Sequence, residues 1–122
     1  MSFVFDIEKA TFENEEYRKI LYTGIMQLVL MSIPVGKDIE LEVHPNTDQF
    51  LRVEKGKGEV RFGKDQSERI KIKDGSAIMV KRGTYHRVIN TGNESLKLYT
   101  IYSPPEHGVK NKYKDLLIKV LM

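Results

Sequence analysis

The 122 residues include 20 Lys and Arg against 17 Asp and Glu, a formal net charge of +3, with 40% hydrophobic and 30% charged residues. This is the make-up of a single globular domain over 1–122 rather than a disordered chain. The absence of Cys excludes disulfides, thiolate metal sites and a cysteine nucleophile.

The N-terminal stretch MSFVFDIEKA has neither the basic start nor the apolar core of a signal peptide, which sets a cytoplasmic protein as the expectation. Phe12 to Tyr17 reads two ways, since Asn14-Glu15-Glu16 can open a short helical turn or belong to a loop. The apolar run from Ile25 to Pro34 is interrupted by Gln27 and Ser32 and is too short to span a bilayer. Apolar residues then recur at every second position in Asp38–His44, Glu59–Phe62 and Arg69–Ile72, the period of half-buried strands. Gly63-Lys64-Asp65-Gln66-Ser67 has the chemistry of a hairpin loop, and Asp74-Gly75 and Asn90-Thr91-Gly92-Asn93 that of turns. Short strands punctuated by glycine predict an antiparallel barrel or sandwich. The helix signal is confined to the C-terminus, where Tyr113, Leu116, Leu117, Val120 and Leu121 form one apolar stripe and predict a short helix over about 110–121. Basic residues elsewhere are interleaved with acidic ones, and only Lys110–Lys119 is locally basic. With no recognisable reading helix or RNA-binding motif, the charge argues against nucleic acid as a partner.

Between Asp38 and Glu54 the alternation is ambiguous about which face is inside. By pattern alone Ile39, Leu41 and Val43 face a core, and Glu40, Glu42 and His44 face water. Gln49, however, shares its face with Leu51 and Val53, and a buried amide there needs a hydrogen-bond or metal partner.

The spacing of two separated segments resolves this. Gly36 is followed by five residues and Glu42-Val43-His44, then four residues and Gln49, then six and Gly56. Gly75 is followed by five residues and Lys81-Arg82-Gly83, then two and His86, then three and Asn90. The pair resembles the two motifs of the cupin superfamily, G-x5-H-x-H-x4-E-x6-G and G-x5-P-x-G-x2-H-x3-N, in order over 36–90. The flanking phrases Leu21–Gly24, Leu28–Met31 and Leu98–Pro105 resemble the small single-domain cupins called mannose-6-phosphate isomerase-like. The resemblance implies an all-β fold, a double-stranded antiparallel β-helix or jelly-roll barrel.

Three positions depart from the pattern: Glu42 stands for His, Gln49 for Glu and Lys81 for Pro. The resemblance then implies a ligand set of Glu42, His44, Gln49 and His86, two imidazoles with one carboxylate and one amide. Such a set suits a divalent transition metal, Mn, Fe, Ni or Zn. It also turns Glu42 and His44 into the barrel, so Ile39, Leu41 and Val43 must be covered from outside, by an N-terminal strand or a second subunit. Homodimers are common among such small cupins, so the resemblance implies one here. Tyr85, Tyr99 and Tyr102 are candidates for the pocket wall, His107 is a candidate mouth or surface residue, and Asn90 is expected to cap a turn.

Function follows from the resemblance in three versions. The first is a metal-dependent cupin acting on or binding a small polar metabolite, such as a sugar or sugar acid, with the metal polarising a carbonyl as in isomerisation. The second is an Fe(II)-dependent dioxygenase, for which two His and one carboxylate are the usual ligands. The third is a binding or sensing module that has kept the pocket and lost catalysis.

Overall fold

In the computed structural model, which describes residues 4–107, two antiparallel sheets enclose one apolar core. The elements are α1 (Ile7–Glu13), β1 (Lys19–Thr23), β2 (Gln27–Ile33), β3 (Asp38–Glu42), β4 (Asp48–Lys55), β5 (Lys57–Phe62), β6 (Glu68–Lys73), β7 (Ala77–Val80), β8 (His86–Asn90) and β9 (Leu96–Ser103). One sheet runs β1-β2-β9-β4-β7 and the other β3-β8-β5-β6. The predicted hairpin loop falls between β5 and β6, where Gly63 takes a φ of 92° that disfavours any side chain. Asn90 caps its turn as expected, donating from Nδ2 to the carbonyls of Ile33 and Glu94 and accepting the N–H of Gly92.

Each inner strand face changes character along its length. On β2, Gln27 precedes Val29, Met31 and Ile33; on β4, Gln49 precedes Leu51 and Val53; on β8, His86 precedes Val88. On β9, which runs the other way, Leu96 and Leu98 precede Thr100 and Tyr102. The register places Gln27, Tyr102 and Gln49 in one rung of the five-stranded sheet. In the other sheet Glu42 lies opposite His86. One end of the sandwich is thus filled with hydrocarbon and the other with polar side chains.

Two expectations are corrected. The β3–β8 ladder breaks register between Ile39 and Glu42, with Ile39 opposite Val88 and Glu42 opposite His86. Because His86 and Val88 are both buried on one face of β8, Ile39 and Glu42 share that face although they are three residues apart. The irregularity interrupts the simple alternation. Ile39 therefore lies in the central core, while Leu41 and Val43 are half-buried. Ile39 consequently gives no reason to require a second subunit as cover.

The second correction is α1, a helix where the sequence pattern confined helix to the C-terminus. It has little apolar periodicity and buries only Thr11, so its ends hold it. Asp6 accepts the Lys9 N–H as N-cap. At the other end the ammonium of Lys97, almost fully buried on β9, donates to the carbonyls of Phe12 and Asn14 at 2.7 and 2.8 Å. Helix C-termini leave such carbonyls unpaired, and here a strand lysine far away in sequence satisfies them. The C-terminal helix expected over 110–121 lies outside the described residues.

Candidate metal centre

At the polar end, three side chains converge. Glu42 ends β3, His44 follows it, and His86 opens β8. The Nε2 atoms of His44 and His86 each lie 3.2 Å from Glu42 Oε1. One donor atom from each of the three falls within 4.8 Å of the others. The two rings are 5.2 Å apart between centroids. Backbone ties hold the loops that carry them, since the Gly83 N–H donates to the His44 carbonyl at 2.9 Å. His44 and His86 are buried, and Glu42 is partly open.

The outer nitrogens determine what the inner ones offer. His86 Nδ1 is 3.0 Å from the Thr84 carbonyl. A carbonyl can only accept, so Nδ1 carries the hydrogen and Nε2 of the neutral ring presents a lone pair. His44 Nδ1 lies 3.3 Å from Glu106 Oε1. Both rings thus have an outer acceptor, the arrangement that orients metal-binding histidines.

This donor set fits a divalent ion. His86 Nε2 is buried without a hydrogen bond, and so is Gln49 Oε1, whose amide nitrogen is committed to Thr100 Oγ1 at 3.0 Å. Ligand atoms roughly 3 Å apart are also what a metal with ~2.1 Å bonds requires. Electrostatics agree in sign. Burial acts to raise the Glu42 pKa, but its contacts with His44 and then His86 bring it from 4.5 to about 2. Burial pushes His44 down, and Glu42 followed by Glu106 outweighs this and raises it. Between His44 Nε2 and Glu42 the protein thus favours a positive charge, supplied by a proton when no metal ion is bound.

The remaining candidates separate. Tyr102 faces inward, its ring edge-on to His44 at 5.6 Å and to His107 at 4.8 Å. Burial pushes its hydroxyl well above the ordinary tyrosine value. His107 is half-buried beside Tyr102, outside the group of three. Its pKa is lowered to about 4, first by burial and then by the charge of Arg18. Tyr99 lies opposite Leu30 and Arg52 on the outer face, its ring 6.2 Å from Phe50, and so does not join the group. Tyr85 is in the loop entering β8, where its carbonyl accepts the Gly63 N–H.

Sequence reasoning missed Glu106. After the cis Ser103–Pro104 bond the chain folds back over the polar end. The Gln27 side chain holds it there, its Oε1 accepting the N–H groups of Glu106 and His107 and its Nε2 donating to the His107 carbonyl. The readable signal was Gln27 itself, a polar residue in an otherwise apolar strand.

Comparison with known proteins agrees with this architecture. Residues 29–102 match the family model described as Cupin domain. The YrkC protein of Bacillus subtilis is 51% identical over 109 residues, covering 86% of this chain, which spans 59% of that protein's length. A protein of Acanthamoeba polyphaga mimivirus is 40% identical over 107 residues, covering 86% of this chain and 67% of its own. A crystal structure from Bacillus halodurans, 49% identical, superposes with a TM-score of 0.86 over 88% of this chain and 85% of that one. A double-stranded β-helix protein from Klebsiella pneumoniae, 22% identical, has the same fold at a TM-score of 0.73, covering 88% and 95% of the two chains. From the two sheets, the polar barrel end and the matched 29–102 segment, the chain belongs to the cupin family.

Proposed function

We propose that this chain is a metal-binding cupin, similar to the small mannose-6-phosphate isomerase-like proteins, that acts on or binds a small polar metabolite such as a sugar or sugar acid. The convergence of two outer-anchored imidazoles on the Glu42 carboxylate carries the reading. Glu42, His44 and His86 would hold a divalent ion, with the carbonyl of Gln49 as fourth donor. A bound ion of this kind supplies Lewis acidity toward a carbonyl or hydroxyl oxygen. A groove of about 540 Å³ on the Glu42 side, lined also by Tyr17, Arg18 and Lys37, has the size of a small-molecule site. Its lining sets Arg18 and Lys37 against the carboxylates of Asp38, Glu40 and Glu42, a polar wall suited to the hydroxyls of a sugar or sugar acid without selecting between them.

The composition of the group, two His and one carboxylate, favours a second reading, an Fe(II)-dependent dioxygenase. Elemental analysis of the purified protein beside a His44→Ala, His86→Ala double variant tests the metal site. Metal in the wild type and none in the variant is expected; equal, negligible metal in both after reconstitution refutes the assignment. Iron with oxygen uptake in a substrate screen would select the dioxygenase. A ligand that raises the melting temperature equally with and without metal would select a binding module.

A homodimer remains part of this proposal on new grounds. Tyr22, Leu28, Ile101, Phe50 and Met79 form one outward-facing rung across the five-stranded sheet, with Met79 70% exposed. Sedimentation as a monomer at micromolar concentration would remove it.

A further inference from the structure

We propose that Glu106 is a positioning residue for the metal centre, fixing the imidazole of His44 so that Nε2 presents its lone pair to the ion. The inference rests on the metal-site reading above and adds a residue outside the two motifs.

Geometry separates this role from direct ligation. The Glu106 carboxylate reaches His44 at Nδ1, 3.3 Å away, whereas Glu42 and the candidate ion position lie at Nε2. The two ring nitrogens of imidazole point in different directions. An acceptor at Nδ1 therefore lies behind the ring as seen from the metal. An ionised carboxylate only accepts hydrogen bonds, so Glu106 keeps a hydrogen on Nδ1. Without metal Glu42 keeps one on Nε2 as well, and an ion replaces that second hydrogen alone. Glu106 also increases the basicity of the ring as a ligand.

Glu106 is itself held for this task. Thr47 Oγ1 donates to its Oε2 at 3.0 Å, and its backbone N–H is bound by Gln27 Oε1 at 3.2 Å. The residue is 9% exposed, and its carboxylate is directed at His44 and Thr47 rather than at solvent. His86 has the same support from the Thr84 carbonyl. The two histidines are thus oriented by different means, one by backbone and one by a side chain that can be replaced. Glu106 also places a second negative charge near the ion in a chain where Gln49 stands at the family's usual carboxylate position.

The test uses the full chain with 15N-labelled histidine, comparing wild type, Glu106→Ala, Glu106→Gln and, as a remote control, Glu68→Gln on β6. Zinc affinity is read by competition with a chromophoric chelator, and ring N–H groups by chemical shifts and exchange with and without zinc. In Glu106→Ala, the His44 Nδ1–H is expected to lose its hydrogen-bonded shift and its protection from exchange, with and without zinc, while the His86 Nδ1–H keeps both. Zinc affinity should fall roughly 10–100-fold, the usual effect of losing an outer partner. Glu106→Gln keeps an acceptor and loses the charge, so it should retain the hydrogen-bonded Nδ1–H and bind zinc about tenfold more weakly. Glu68→Gln should match wild type. An unchanged His44 Nδ1–H signal in folded Glu106→Ala overturns the proposal. If that variant does not fold, unchanged zinc affinity in Glu106→Gln overturns it instead. Loss of one ligand from the cobalt spectrum of either variant would make Glu106 a direct ligand, which also overturns it. Failure of the wild type to bind zinc, cobalt, manganese or iron refutes the metal reading alone, and the metal-free His44 Nδ1–H signal in wild type against Glu106→Ala still decides whether Glu106 fixes His44.

Discussion

The Nε2 of His86 lies 3.2 Å from Oε1 of Glu42, buried, with no hydrogen bond between them. With its Nδ1 hydrogen facing the Thr84 carbonyl, Nε2 of the neutral ring and the carboxylate are two electron-rich groups directed at one point. Such a contact costs free energy unless a cation occupies the point or a proton bridges it.

Metal affinity should therefore depend unequally on the four donors. His86→Ala is expected to weaken binding by more than the ~100-fold upper range of outer-partner losses. Gln49→Ala should cost less, because a neutral amide is the poorer donor. Chelator competition on the two variants checks the order, and a larger loss for Gln49→Ala would reverse the assignment of roles.

Metal uptake should release protons. Without metal, burial works to lower the His44 pKa but Glu42 and then Glu106 outweigh it, so His44 keeps its proton to a higher pH than an ordinary histidine. The ion must displace that proton, so apparent affinity should rise with pH until the raised His44 titration is complete. Mixing metal with weakly buffered protein and an indicator dye would show the release. In the metal-free protein the linkage has the opposite sign. Stability from the raised His44 pKa is present below 6.5 and lost as pH rises through the folded value.

His107 should make the protein acid-sensitive. Its folded pKa of about 4 lies below the ordinary 6.5, mainly through burial. A depressed pKa contributes stability above 6.5 that is lost as pH falls toward 4. The melting temperature of metal-free wild type should fall more steeply across that window than that of His107→Phe, which keeps an aromatic edge against Tyr102. Identical slopes would assign the sensitivity elsewhere.

Lys97→Met should loosen α1 without disturbing the barrel. The variant leaves the carbonyls of Phe12 and Asn14 without their donor, at a cost of about 1–3 kcal/mol. The accompanying contact with Glu15, which is 82% exposed, adds little. Urea unfolding should show the loss, and amide exchange in Ile7–Glu13 should accelerate ahead of exchange in the strands.

The sequence was most readable where spacing is fixed by turns. Gly36 and Gly75 set the two motifs in register, and Glu42, His44 and His86 do converge. It was least readable where tertiary contacts override local pattern. The β3 irregularity moves Ile39 to the face of Glu42, which no alternation rule anticipates. Helix α1 depends on Lys97, more than eighty residues away in sequence, so its own periodicity is poor. Tyr99 and Tyr102 are equivalent as sequence, but their odd spacing puts them on opposite faces of β9. Glu106 stands outside both motifs, and only the return of the chain over Gln27 brings it to His44.

The polar rung has a mechanical consequence. Glu42 and His86 belong to the four-stranded sheet, whereas Gln49 is carried by β4 of the five-stranded sheet. An ion held by all of them would act as a rivet between the two halves of the sandwich, at the end where hydrocarbon packing gives way to polar groups. Occupancy would then govern how far the barrel can breathe at its mouth, so the ion that completes the site would also gate access to it.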